Sequence, residues 1–125
     1  MIVLDASCVL AYLFSETGRE RAEECLAIGV ISAVNVTEIV GKQIDKGLDP
    51  KMASDRYEGL NLSVRIFDEE TAILAGQLRA ATAHRGLSLG DRACLALAIR
   101  ENATAVTADR KWADLKVGCR IELIR

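Results

Sequence analysis

Met1-Ile2-Val3-Leu4-Asp5-Ala6-Ser7 opens the chain, and its reading decides the fold. Ile2-Val3-Leu4 is a short apolar run without polar alternation. It predicts a strand covered on both faces, as in the middle of a parallel sheet. Asp5 ends that strand. In open parallel sheets the functional crevice lies beyond the carboxyl ends of the strands, so this acid stands where chemistry would be done. Ser7 is expected to cap a helix over Cys8 to Phe14.

Outward from this stretch, short strands and helices alternate. Thr17 opens a helix over Gly18 to Ala27, stopped by Gly29. Val30-Ile31-Ser32 reads as a strand. The helix after it, Val34 to Lys46, carries Val36, Ile39, Val40 and Ile44 at helical spacing and ends at Gly47. Asp49-Pro50 starts another helix that runs to Leu60, with Pro in the first turn where no donor is lost. Val64 to Phe67 is a strand. Asp68-Glu69-Glu70 then sets negative charge at the start of a helix over Thr71 to His84, which the helix dipole favours. An Ala/Leu-rich helix runs from Asp91 to Arg100. A strand follows at Thr104 to Thr107, a short helix at Arg110 to Leu115, and a last strand at Arg120 to Leu123. The order β-α-α-β-α-α-β-α-α-β-α-β predicts an α/β fold with a mostly parallel five-stranded sheet and helices on both faces.

Composition narrows the function. The 125 residues include 18 acids and 16 bases, a net charge of -2, and this excludes a polycationic nucleic-acid binder. Contact with a polyanion therefore needs a local basic patch or a metal ion. The start of the chain has no basic segment before its apolar run, which argues against a secretory signal, and no apolar stretch approaches the ~20 residues of a membrane span. A cytoplasmic protein is expected. Cys8, Cys25, Cys94 and Cys119 are scattered, with no close pair and with only His84 to join them, so buried reduced thiols are expected rather than zinc ligands. His84 reads as a helix C-terminal charge, Trp112 as a packing anchor and Asp114 as a surface residue.

Four acids stand apart from the solvated surface charges. Asp5 ends the first strand. Glu38 lies one turn into the helix after the second strand, in a stretch otherwise nearly free of charge. Asp91 begins the Ala/Leu-rich helix, and Asp109 sits two residues past the fourth strand. All four are expected at the carboxyl edge of the sheet. Four carboxylates sharing one region repel one another and raise each other's pKa values, a conflict that a divalent cation removes. Clustered oxygen ligands without Cys or His favour Mg2+ or Mn2+, and such an ion can promote hydrolysis of a phosphodiester. Ser7 and Thr107 can hydrogen-bond a carboxylate or a phosphate. Arg92 and Arg110, each following one of the acids, together with Lys111, can supply the missing local positive charge.

The segments Met1 to Ser7, Glu38 after Val30-Ile31-Ser32, Leu89-Gly90-Asp91-Arg92, and Thr107-Ala108-Asp109-Arg110-Lys111-Trp112 together resemble the four acidic motifs of PIN-domain ribonucleases. In length and motif order they are most similar to the VapC toxins of type II toxin–antitoxin systems. The resemblance covers essentially the whole chain, so residues 1–125 are expected to form one PIN domain. It implies a three-layer α/β/α sandwich and Mg2+- or Mn2+-dependent endonuclease activity on RNA. Asp5 and Asp91 would be the principal metal ligands, with Glu38 and Asp109 completing the pocket directly or through water. It further implies a homodimer and a cognate antitoxin whose C-terminal segment covers the site.

Other readings fit less well. A signalling receiver domain needs a second acid beside Asp5 and a Lys after the last strand, and an Asp-x-Asp phosphatase needs an acid at Ser7. A binding module that does not cut would not need all four acids. A stand-alone RNA-processing PIN nuclease remains the alternative within the family.

Overall fold

The computed structural model describes residues 1–125. Its centre is β1 (Ile2–Leu4), flanked in parallel by β2 (Val30–Ser32) and β4 (Thr104–Thr107). β3 (Ser63–Arg65) and β5 (Arg120–Leu123) form the edges, in the order β3-β2-β1-β4-β5, with every pairing parallel. The unbroken apolar character of β1 follows from this central place. Val3 and Leu4 are both fully buried, but on opposite faces of the sheet.

Val3 packs with Val30 and Ala105 against α5 (Glu69–Gln77), α7 (Leu89–Arg100) and Trp112. Leu4 packs with Ile31 and Val106 against α1 (Ala6–Leu13), α2 (Arg19–Ile28) and Ile39 of α3 (Ala33–Asp45). This period-two division yields the expected α/β/α sandwich. α4 (Pro50–Glu58) leans on α3, where the buried Gln43 amide donates to the Ala53 carbonyl at 3.0 Å.

The differences from the sequence reading are local. α1 begins at Ala6, because Ser7 is inside the helix with its hydroxyl committed to Asp5 rather than to a cap. β3 is shifted toward Ser63 and stops at Arg65, whose partner Ser32 is the last residue of β2 and caps α3 instead of extending the sheet. The helix expected over Thr71 to His84 is divided into α5, α6 (Arg79–Thr82) and a 3-10 turn over Ala83–Arg85. Buried Thr82 donates its hydroxyl to the Leu78 carbonyl at 2.8 Å, where the division falls; such back-bonding commonly bends a helix. α7 starts at Leu89 because Ser88 supplies the cap. The expected helix over Arg110 to Leu115 is a single 3-10 turn, Arg110–Trp112. α4 stops at Glu58, short of Leu60.

Cys8, Cys25 and Cys94 are buried and Cys119 half-buried, all as free thiols. Burial pushes the Cys8 thiol up to about 12, which keeps it neutral and inert. Trp112 is fully buried against the α7 side of the sheet, with its indole N–H unpartnered. Truncating it to a methyl should therefore be severe, whereas a smaller ring that keeps most of the packing and has no N–H to satisfy should cost less. Trp112→Ala is expected to lose about 3–5 kcal/mol in urea denaturation, while Trp112→Phe keeps most of the stability.

Candidate active site

The site begins with a carboxylate that does not cap its own helix. Asp5 has the extended backbone of an N-cap, yet its side chain makes no capping hydrogen bond. Instead, Asp5 Oδ2 accepts from Ser7 Oγ at 2.6 Å and from Thr107 Oγ1 at 2.9 Å. Each hydroxyl oxygen in turn accepts a backbone N–H from the chain leaving β4. Ala108 N donates to Ser7 at 2.9 Å, and Asp109 N donates to Thr107 at 3.0 Å. The first and last acidic segments, about a hundred residues apart in sequence, are thus stitched together around one oxygen.

Asp5 is 3% exposed and forms no ion pair. Burial is the main cause that pushes its pKa up to about 7, opposed by the two hydroxyls and reinforced by the charges of Asp91 and Glu38. The other three acids reach the same place from other elements. Asp5, Glu38, Asp91 and Asp109 together line a cleft of about 290 Å³ at the carboxyl ends of the strands, with Ser7, Ser88, Lys42 and Lys111 on its walls.

Glu38 is half-buried in α3. Burial raises its pKa, the hydrogen bond from Asn35 lowers it, Asp91 raises it and Lys42 lowers it. Asp91 closes a capping box. Its Oδ2 accepts from Ser88 N at 2.9 Å, while Ser88 Oγ accepts from Asp91 N. Asp109 Oδ1 accepts from Lys111 N at 3.0 Å and starts the 3-10 turn. Asp91 and Asp109 therefore have structural duties, whereas Asp5 and Glu38 cap nothing.

The four sequence-selected acids and both hydroxyls are brought together. The two arginines are not. Arg92 donates to the Ala75 carbonyl at 2.9 Å and Arg110 to the Arg125 carbonyl at 2.8 Å, and neither lines the cleft. The cations on its walls are Lys42 and Lys111, the latter 3.8 Å from Asp109. Lys42 and Asn35 were missed in the sequence; the available signal was their spacing, one turn either side of Glu38 on the same helix.

As the side chains stand, no three acids are grouped so as to enclose one ion. Each carboxylate has one oxygen engaged by a protein donor and the other without a hydrogen-bond partner. The donor set suits a hard divalent cation, because the cleft offers carboxylate and hydroxyl oxygens and neither thiol nor imidazole. Asp5, a buried carboxylate with no cation of its own, supplies the electrostatic reason for one to bind.

The PIN domain family model matches residues 2–118, and the chain belongs to that family. Its fold is VapC-like. A chain of the DNA-bound VapBC complex of Salmonella typhimurium is 26% identical, with 99% of this chain and 98% of that chain covered and a TM-score of 0.74. A chain of the promoter-DNA-bound VapBC2 complex of Rickettsia felis shares 19% identity, with 98% of each chain covered and a TM-score of 0.74. VapC20 of Mycobacterium tuberculosis, described as a sarcin-ricin loop cleaving toxin, shares 14% identity over 93% of this chain and 97% of that one, at a TM-score of 0.71. No curated protein sequence matches the chain significantly.

The raised pKa of Asp5 has a signed consequence for stability. Between an unfolded value near 4 and a folded value of about 7, the native state holds more protons than the unfolded one, so this group makes stability fall as pH rises through that window. In EDTA, Asp5→Asn should be more stable than the parent at pH 8, by up to roughly 4 kcal/mol. The advantage should shrink progressively as pH is lowered and disappear near pH 4. Thermal unfolding across pH 4–8 checks it.

Proposed function

We propose that the protein is a divalent-metal-dependent endoribonuclease and the toxin component of a type II toxin–antitoxin system, with residues 1–125 acting as one PIN domain. The observation that carries this reading is the convergence of four carboxylates from four separate segments on one cleft of a PIN fold, around the buried and unpaired Asp5. The VapBC complexes among the similar structures support an antitoxin as partner, and the toxin reported to cleave the sarcin-ricin loop supports RNA as substrate.

In this reading Asp5 and Asp91 are the principal ligands of Mg2+ or Mn2+, and Glu38 and Asp109 complete the set directly or through water. Asp91 and Asp109, half-exposed at the cleft, are the side chains with room to turn toward an ion beside Asp5 and the seated Glu38. The ion, when bound, supplies positive charge that polarises the phosphodiester toward attack. Ser7 and Thr107 hold Asp5 in place. Asp109 or Glu38 orients the attacking water and takes its proton; burial raises the pKa of Glu38 above the ordinary carboxylate value, which favours it for that role. Lys42 and Lys111 draw the RNA backbone to an otherwise acidic cleft. Arg92 and Arg110, held by backbone carbonyls, stand outside this set.

Two apolar surfaces suit the proposed protein partners. Tyr12, Leu26, Ala27 and Leu60 line a groove fit for an antitoxin segment. Val64, Ile66 and Ile73, exposed on the β3 edge and α5, offer apolar surface to a second copy. No helix is long and apolar enough to cross a membrane.

The test is cleavage of RNA by the purified protein with Mg2+ or Mn2+, alongside growth of cells expressing it. Asp5→Asn and Asp91→Asn are expected to fold normally, to lose activity by at least about 100-fold, since removing a ligand costs more than removing its outer-shell support, and to relieve growth inhibition. Undiminished cleavage in excess EDTA would contradict the metal requirement.

A further inference from the structure

Asn35 is fully buried in α3, one turn before Glu38. Its side-chain amide uses both hydrogens. Asn35 Nδ2 donates to Glu38 Oε1 at 2.7 Å and to the backbone carbonyl of Gly90 at 3.0 Å. Gly90 lies in the first turn of α7, immediately before Asp91. One NH2 group therefore ties a carboxylate on α3 to the start of the helix that carries the next carboxylate.

Gly90 completes the arrangement. A Cβ built there would stand 2.2–2.3 Å from Cδ, Oε1 and Oε2 of Glu38, and these are the three nearest atoms it would meet. The Glu38 head group thus rests directly on the Gly90 backbone. Gly90 does not have a positive φ, so no backbone constraint asks for glycine here; the carboxylate contact does. Asn35 Oδ1 is itself buried and unpartnered. Such a polar atom is costly to bury, so simple packing of α3 on α7 would be better served by an apolar side chain.

We propose that Asn35 and Gly90 are positioning residues that seat the Glu38 carboxylate against the start of α7, setting its place relative to Asp91 before a divalent cation binds. A glutamate side chain has several rotatable bonds, and a carboxylate already seated loses less freedom on taking up an ion. The inference rests on reading the acidic cleft as a divalent-cation site, and it assigns to this pair the fit of that site rather than any contact with substrate.

The test is Mn2+ binding by isothermal titration calorimetry to the full-length protein and three variants, with thermal unfolding in EDTA alongside. Gly90→Ala is the discriminating variant. The three nearest atoms the added methyl meets are all in the Glu38 head group, which can swing out toward solvent, and alanine favours helix, so the variant's unfolding temperature in EDTA should stay close to the parent's. Its Mn2+ affinity should nevertheless fall about 10- to 100-fold, the usual cost of losing support around a ligand. Asn35→Ala should show a similar loss of affinity, together with a lower unfolding temperature because a fully buried side chain and its hydrogen bond from α3 to α7 are removed. In a Glu38→Gln background, Asn35→Ala should cause no further loss, since the two residues act through one group. Mn2+ affinity within twofold of the parent in both Gly90→Ala and Asn35→Ala would overturn the inference while leaving the cation site standing. A parent protein that takes up no Mn2+ would overturn the site reading and this inference with it.

Discussion

A single oxygen, Asp5 Oδ2, organises this molecule. It sits at the end of the central strand, 3% exposed as a residue, and receives two hydroxyl protons whose oxygens are themselves fixed by backbone N–H groups from beyond β4. Everything near it is constrained by that arrangement. β1 and β4 must be neighbours, the residue two after Asp5 must carry a hydroxyl, and so must the last residue of β4. The cost is electrostatic. Two hydrogen bonds do not offset the desolvation, and the carboxyl is left poised near neutrality rather than firmly ionised. A native state that tolerates this strain at its centre is organised around something other than stability, and a cation at the cleft is the simplest agent that relieves it.

The remaining acids are brought to Asp5 by different means, and the means match their burial. Asp91 and Asp109 are anchored through local turns, a capping box and a 3-10 start, which fix them cheaply by short-range hydrogen bonds. Glu38 is held by a side chain of its own helix rather than by a backbone group. It projects from α3 on a long side chain, and its hydrogen-bond partner is the buried amide of Asn35. The contact between Glu38 and the Gly90 backbone then joins α3 to α7 at the rim of the cleft. The cleft is therefore built from both sides of the sheet, since α3 packs with the Leu4 layer and α7 with the Val3 layer.

Much of this was legible in the sequence, for identifiable reasons. Short apolar runs mark central parallel strands, and acids that follow them closely lie at the carboxyl edge, so the sandwich and the place of Asp5 and Asp109 could be read without coordinates; Glu38 and Asp91 were picked out by their positions near the starts of sparsely charged helices and by the motif resemblance. The division of the Thr71–His84 helix was not legible, because it depends on a buried Thr82 hydroxyl turning back on the Leu78 carbonyl. The cations were misassigned for a geometric reason. Adjacent residues on a helix point about 100° apart, so Arg92, next to Asp91, faces Ala75 of α5 instead of the cleft. Lys42, four residues after Glu38, shares its face and lines the cleft. The spacing of Asn35 from Glu38 could be read in the sequence, but its second partner could not, because the Gly90 carbonyl is 55 residues away in the chain.

The central claim is that the acids around Asp5 form one divalent-cation site. Anomalous diffraction from crystals soaked in Mn2+ tests it most directly. The account predicts a single strong peak, or a close pair, bounded by Asp5 and Asp91 with Glu38 and Asp109 turned toward it. No peak in the cleft at saturating Mn2+, or binding only at surface carboxylates elsewhere, would contradict it.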